Sequence, residues 1–178
     1  NVLFCMTICE EDLARRQAMI ERVLHMLDNF VARYGESGGC DEGPSYWGVA
    51  GGCFFDCLEL LYDLTGGRFD FFTHPFVRCM GEYIMKMHIC GNYFVPFADA
   101  PHKIVSYNAM IARFGHRTGS EKLERFGLSR IDPRASTQAV LNSRSSSAHT
   151  CYRSWKDTIF LTTAVAGGAF EHELCYYL

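Results

Sequence analysis

Apolar residues recur at spacings of three and four along most of the first 126 positions, and that recurrence limits the chain to a helical architecture. Leu13, Ile20, Val23, Leu24, Leu27, Phe30, Val31 and Tyr34 form one such stripe, which stops at Gly35. Thr7-Ile8-Cys9-Glu10 has the form of a capping box, and Glu10, Glu11 and Asp12 favour a helix start through the macrodipole. The pattern predicts an amphipathic helix from Glu10 to Tyr34. Pro44 suits the first position of a second helix, whose apolar face is Trp47, Ala50, Cys53, Phe54, Cys57, Leu58, Leu61 and Leu64, and which Gly66-Gly67 ends. Thr73 caps a third, with Pro75 in its first turn; Phe76, Val77, Met80, Ile84, Met87 and His88 mark its inner face and Gly91 stops it.

Tyr93 to Ala98 is too short for a helix and reads as extended, with helical patterns resuming at Lys103 to Phe114 and Ser120 to Phe126. The expected fold is all-α: antiparallel helix hairpins in residues 1–128, followed by a poorly patterned segment, 129–178, in which Thr158 to Phe170 could supply short strands.

The composition removes several function classes. A net charge of −3 gives no case for nucleic acid or an acidic membrane surface. No apolar run reaches the roughly 18 residues of a membrane span. Asn1 to Ile8 lacks the basic start and small-residue cleavage site of a signal peptide, and a start without Met reads as that of a fragment or a processed chain. Nine cysteines occur without any Cys-x-x-Cys, so neither a zinc ribbon nor a thioredoxin motif is indicated. Most fall on apolar helical stripes and are expected to pack in the core as thiols, which favours a reducing, cytoplasmic compartment. No metal or cofactor motif is present: there is no phosphate loop, HExxH or GxSxG.

The segment Gly39-Cys40-Asp41-Glu42-Gly43-Pro44-Ser45-Tyr46-Trp47-Gly48 carries chemistry that a core does not require. It sets a phenol, an indole and two carboxylates around a helix start. Tyr46 fits a proton-transfer residue, or a helix seam with a wet hydroxyl. Trp47 fits a platform for a pyranose ring, or a core position. Glu42 and Asp41 suit sugar hydroxyls or the general acid of a hydrolase; acids at this place also stabilise a helix N-terminus without further function. His102 and Lys103 suit a cleft that neutralises an acidic substrate, or a solvated turn. His88 reads as a hydrogen-bonded core histidine and His74 as structural.

Asp41-Glu42-Gly43-Pro44-Ser45-Tyr46-Trp47, Leu58-Glu59-Leu60-Leu61, Thr65-Gly66-Gly67-Arg68-Phe69-Asp70 and Tyr93-Phe94-Val95-Pro96-Phe97-Ala98-Asp99-Ala100 together resemble motifs of the heparinase II/III-like polysaccharide lyases, which include alginate lyases. The resemblance covers about residues 1–126. It implies part of an (α/α) toroid followed by a β-sandwich, β-elimination of uronic-acid glycans, and Tyr46 as the proton-transfer residue. Glu42, Trp47 and His102 then become substrate-binding positions, and an acidic polysaccharide the partner. The family's upstream asparagine–histidine helix has no counterpart here, and Gly167 to His172 is the one trace of its downstream segment. The chain alone is therefore expected to be a poor lyase that self-associates. Two alternatives stand beside this reading: a helical-barrel glycoside hydrolase using Glu42 or Asp41, and a non-catalytic glycan-binding scaffold.

Overall fold

A computed structural model describes residues 2–105 and 107–131. They are mostly helical. Helix α1 (Val2–Ile8) precedes the long α2 (Leu13–Arg33); α3 (Pro44–Trp47), α4 (Gly51–Leu64) and α5 (Pro75–Lys86) follow; a small hairpin, β1 (His88–Cys90) and β2 (Tyr93–Phe94), leads to α6 (Asn108–Thr118) and α7 (Glu121–Leu128). The sequence-predicted strands and second domain fall largely in residues 132–178, outside the described residues. No helix among those described is long and apolar enough to cross a membrane.

The first helix start differs from expectation. Thr7 lies inside α1, and its hydroxyl donates to the Phe4 carbonyl at 2.9 Å. The cap of α2 is Asp12, whose carboxylate accepts the Arg15 N–H at 2.9 Å. Helix α1 folds back so that Leu3 is buried with Val23, Leu60 and Leu61.

The expected helix from Pro44 to Thr65 is broken. Gly48, Gly51 and Gly52 are poor helix formers, and the chain turns between Trp47 and Gly51. The indole of Trp47 is thereby driven into the main core with Phe55, Met80, Met110, Phe114 and Leu123. Phe55 stacks on Phe114 at 4.4 Å and Trp47 on the same ring at 6.1 Å.

Helix α5 begins at Pro75 as expected, but its cap is His74, whose Nδ1 accepts the Phe76 N–H at 3.3 Å. It ends at Lys86, and His88 opens β1 instead of lying on the helix. Gly91, at φ 49°, and Asn92 make the tight turn between Cys90 and Tyr93, which face each other across the hairpin. The next helix starts later than expected because residues 102–104 add to this ribbon: Phe94 N–H donates to the His102 carbonyl and Ile104 N–H to that of Asn92, both at 2.9 Å.

Helices α6 and α7 form an antiparallel pair through Gly119 and Ser120. Their backbones nearly touch, since a Cβ on Gly115 would lie 2.2 Å from the Glu124 nitrogen and one on Gly127 2.4 Å from the Ala112 nitrogen. Arg130, just beyond α7, binds the end of this pair to the hairpin. Its guanidinium lies over Phe94 and Phe126, at 5.1 and 5.2 Å from the ring centroids, and contacts the His88 Nε2 at 3.1 Å and the Gly91 carbonyl.

Candidate functional site

The loop before α3 is fixed from two sides. On one side it sits on α5: the Tyr83 hydroxyl donates to the Cys40 carbonyl at 3.2 Å, and the Trp47 Nε1–H donates to the Met80 carbonyl at 2.8 Å. On the other it abuts the segment after β2. Gly43 has φ 93°, open to glycine and strained for other residues, and a Cβ there would fall 2.5 Å from the Ala100 Cβ and 2.7 Å from the Phe97 oxygen. Gly48 lies under the ring of Tyr107 in the same way.

The two stretches that carry the candidate residues therefore share a seam. Asp41 and Glu42 are exposed on the loop, and Tyr46 is 41% exposed in the first turn of α3. His102 is exposed on the facing segment, its ring parallel to that of Tyr93 at 5.8 Å. Trp47 does not join them. It is 0% exposed, its N–H is bonded inside the core and Phe114 covers its ring, so the sugar-platform reading is corrected: Trp47 anchors the loop. His88 is likewise corrected, from a helix-face core residue to a strand residue held between the Gly91 carbonyl and Arg130.

Tyr34, Cys40 and Tyr83 lie together beneath the loop. The buried Tyr34 hydroxyl has the Cys40 thiol for a neighbour, and the Ser45 hydroxyl is buried with no hydrogen-bond partner among the described residues. Burial, helped by the neighbouring Cys40 thiol, raises the Tyr34 phenol well above its ordinary value. Burial also raises Cys40, and it pushes Tyr83 up to about 12. In an unfolded chain a thiol and a phenol ionise near about 8.5 and 10. Folding thus favours the neutral forms. Their contribution to stability is complete below about pH 8.5 and is lost as the pH climbs toward the folded values. Urea midpoints should fall from pH 8 to pH 11. Tyr34→Phe, which removes one titrating group and one buried hydroxyl, should make that fall shallower while changing neutral stability by no more than about 1 kcal/mol. A wild-type midpoint flat to pH 11 would contradict this account.

Of the cysteines expected in the core, Cys40 is buried, Cys9 and Cys90 are exposed, and Cys5 and Cys79 are intermediate. Cys53 and Cys57 line a cleft of about 330 Å³ between α2 and α4, together with Met26, Leu27 and Phe30. None of Tyr46, Glu42 and His102 lines it.

Sequence reasoning missed a buried ionic cluster between α4 and α6. Arg113 contacts Glu59, and its Nη2 lies 3.2 Å from Asp56; Arg117 lies 3.2 Å from Glu59 and 3.0 Å from Asp63. Asp56, Glu59 and Arg113 are each no more than 2% exposed. The guanidiniums also lie over aromatic rings, Arg113 at 5.3 Å from Phe55 and Arg117 at 4.8 Å from Tyr62. Burial works to lower the Arg117 pKa, but the Glu59 and Asp63 carboxylates outweigh it and the net shift is upward. The signal was in the sequence: acids at spacings of three and four inside an apolar helix, and two arginines four apart. These groups pair across the interior and tie α4 to α6, away from Glu42, Tyr46 and His102.

Among the described residues no group of three or more histidines, cysteines or carboxylates is placed to hold a metal ion. No known protein-family model matches this chain, and no curated protein matches it.

Proposed function

We propose that the chain is the helical part of a β-eliminating lyase acting on uronic-acid glycans, with Tyr46 as its proton-transfer residue and its helix pairs as part of an (α/α) toroid. The observation that carries this reading is the seat of Gly43 against Phe97 and Ala100. It brings together the two motif-bearing stretches, one with Glu42 and Tyr46, the other with His102, although about fifty residues separate them.

Elimination requires an acidified proton alpha to the uronate carboxylate, a base to take it and an acid for the departing glycosidic oxygen. Tyr46 is exposed at the start of α3, with its phenol on the solvent side of a loop held on both flanks. Glu42, beside it in sequence and also exposed, suits a substrate hydroxyl; His102, across the seam, suits the carboxylate.

The test is a screen of alginate, heparan and other uronate glycans with the protein containing this chain. Elimination leaves a conjugated 4,5-double bond that absorbs in the ultraviolet. New reducing ends without that absorbance would instead support hydrolysis by Glu42 or Asp41. Neither product from any uronate glycan would leave a binding scaffold and defeat the lyase reading.

A further inference from the structure

The surface beside the seam carries an arrangement of which the catalytic proposal uses only His102. From β2 onward, Tyr93, Val95 and Phe97 occupy alternate positions and are 43%, 40% and 39% exposed, while Phe94 between the first two is 1% exposed. Tyr93 and Phe94 alternate as a strand with one side in the core does, whereas beyond the strand Val95, Pro96 and Phe97 are all exposed. Tyr93, Val95 and Phe97 thus leave a ribbon of apolar side chains open to solvent, and its Phe97 end abuts Gly43 in the loop that carries Glu42 and Tyr46.

Two cationic or potentially cationic groups stand at the other end. Lys103 pairs with Tyr93 through an antiparallel bridge, and its Nζ lies 5.0 Å from the Tyr93 ring centroid. The His102 imidazole is tilted only 16° from the plane of the same ring. His102 and Lys103 are exposed, and Lys103 makes no ion pair with a carboxylate among the described residues. A lysine held over an aromatic ring keeps its charge while losing part of its rotational freedom. Apolar ring surface followed by a positioned cation suits a ligand that alternates C–H faces with carboxylates.

We propose that Tyr93 and Lys103, with His102 shared between the two positions, form an accessory subsite for a uronate ring of an acidic glycan, next to the ring on which Tyr46 acts. Lys103 faces the carboxylate, His102 contributes a hydrogen bond beside it, and the Tyr93–Val95–Phe97 ribbon carries the C–H faces of rings extending toward the loop. The choice of uronate as ligand rests on the lyase reading above; the juxtaposition of ribbon and cation does not.

The experiment titrates the 178-residue protein with a mannuronate tetrasaccharide, with neutral maltotetraose and with a single-stranded tetranucleotide, following binding by calorimetry. The tetrasaccharide should bind in preference to both others, and more weakly as salt rises. Lys103→Gln should weaken it on the order of tenfold, the scale of one hydrogen bond to a charged group. Lys103→Arg should keep most of the affinity, Tyr93→Ala should lower it, and Lys122→Gln, which removes an equal charge from exposed α7, should leave it unchanged. Equal affinity of Lys103→Gln and wild type, failure of the tetrasaccharide to bind, or tighter binding of maltotetraose or the tetranucleotide would each overturn the subsite. Cleavage is scored separately, with the protein containing this chain. Ultraviolet-absorbing product with affinity indifferent to Lys103 sinks the subsite and leaves the lyase reading standing; Lys103-dependent binding without product does the reverse.

Discussion

Replacing Arg113 with methionine should cost the fold about 3–5 kcal/mol, the scale for removing one partner of a buried ion pair. The side chain is 1% exposed, and its guanidinium is shared by Asp56 and Glu59, themselves 2% and 1% exposed. Methionine preserves most of the apolar stem and deletes the charge. The described cluster holds three carboxylates, Asp56, Glu59 and Asp63, against two guanidiniums, Arg113 and Arg117, a formal sum of −1. Loss of Arg113 takes that sum to −2 in a site with little water to screen it. Glu59→Gln moves it to zero instead: Arg113 retains Asp56 and Arg117 retains Asp63, but the two Glu59 oxygens serve different arginines, so the amide accepts from one and turns its NH2 toward the other. That change should cost less than the loss of Arg113, about 1–3 kcal/mol. Urea or thermal midpoints of the two variants decide the matter. If Glu59→Gln proves the more damaging of the pair, shape and not charge balance governs the contact between α4 and α6.

Tyr46→Phe should leave the fold intact and lower the rate of elimination on the order of a hundredfold or more, the usual contribution of a positioned acid or base. The ring stays; one oxygen on a partly exposed side chain is removed. The loop's anchors, Trp47 Nε1–H on the Met80 carbonyl and the Tyr83 hydroxyl on that of Cys40, are untouched. Turnover of a uronate glycan by the protein containing this chain, followed at the absorbance of the unsaturated product, gives the rate, and a urea midpoint gives the stability. Equal turnover by the two proteins would remove Tyr46 from the mechanism. A parallel loss of stability and activity would mark it as structural.

Where one periodic stripe and one stop signal agreed, the sequence was easy to read. The apolar run from Leu13 to Tyr34 became α2, with Tyr34 as its C-cap, and Pro44 and Pro75 both stand at helix starts. Errors arose where two local signals competed. Thr7 and Asp12 both suit an N-cap, and the short apolar segment before them formed a helix of its own, taking the Thr7 hydroxyl for an internal carbonyl. Gly91-Asn92 between His-Ile-Cys and Tyr-Phe-Val is a hairpin signal, but Met87 and His88 also continued the helical stripe of α5, and the turn prevailed. At the candidate site, loop residues Asp41, Glu42 and Tyr46 are exposed and Trp47 beside them is buried. Trp47 was ambiguous because an indole serves equally as platform or core filler, and what decided it was the Met80 carbonyl, thirty-three residues away, within reach of its N–H. The cluster around Arg113 escaped for the same reason: charged residues inside an apolar helix are intelligible only when the helix bearing their counter-ions is in place.

The buried indole also equips the molecule with an internal optical probe. The chain has two tryptophans, Trp47 and Trp155. In a Trp155→Phe background all tryptophan emission comes from Trp47, whose N–H is bonded to a carbonyl and whose ring is covered by Phe114. Its colour and its accessibility to a water-soluble quencher then report the seating of the Tyr46 segment in the main core, against Met80 and Phe114. Any movement of that segment on addition of a ligand becomes visible without an attached label.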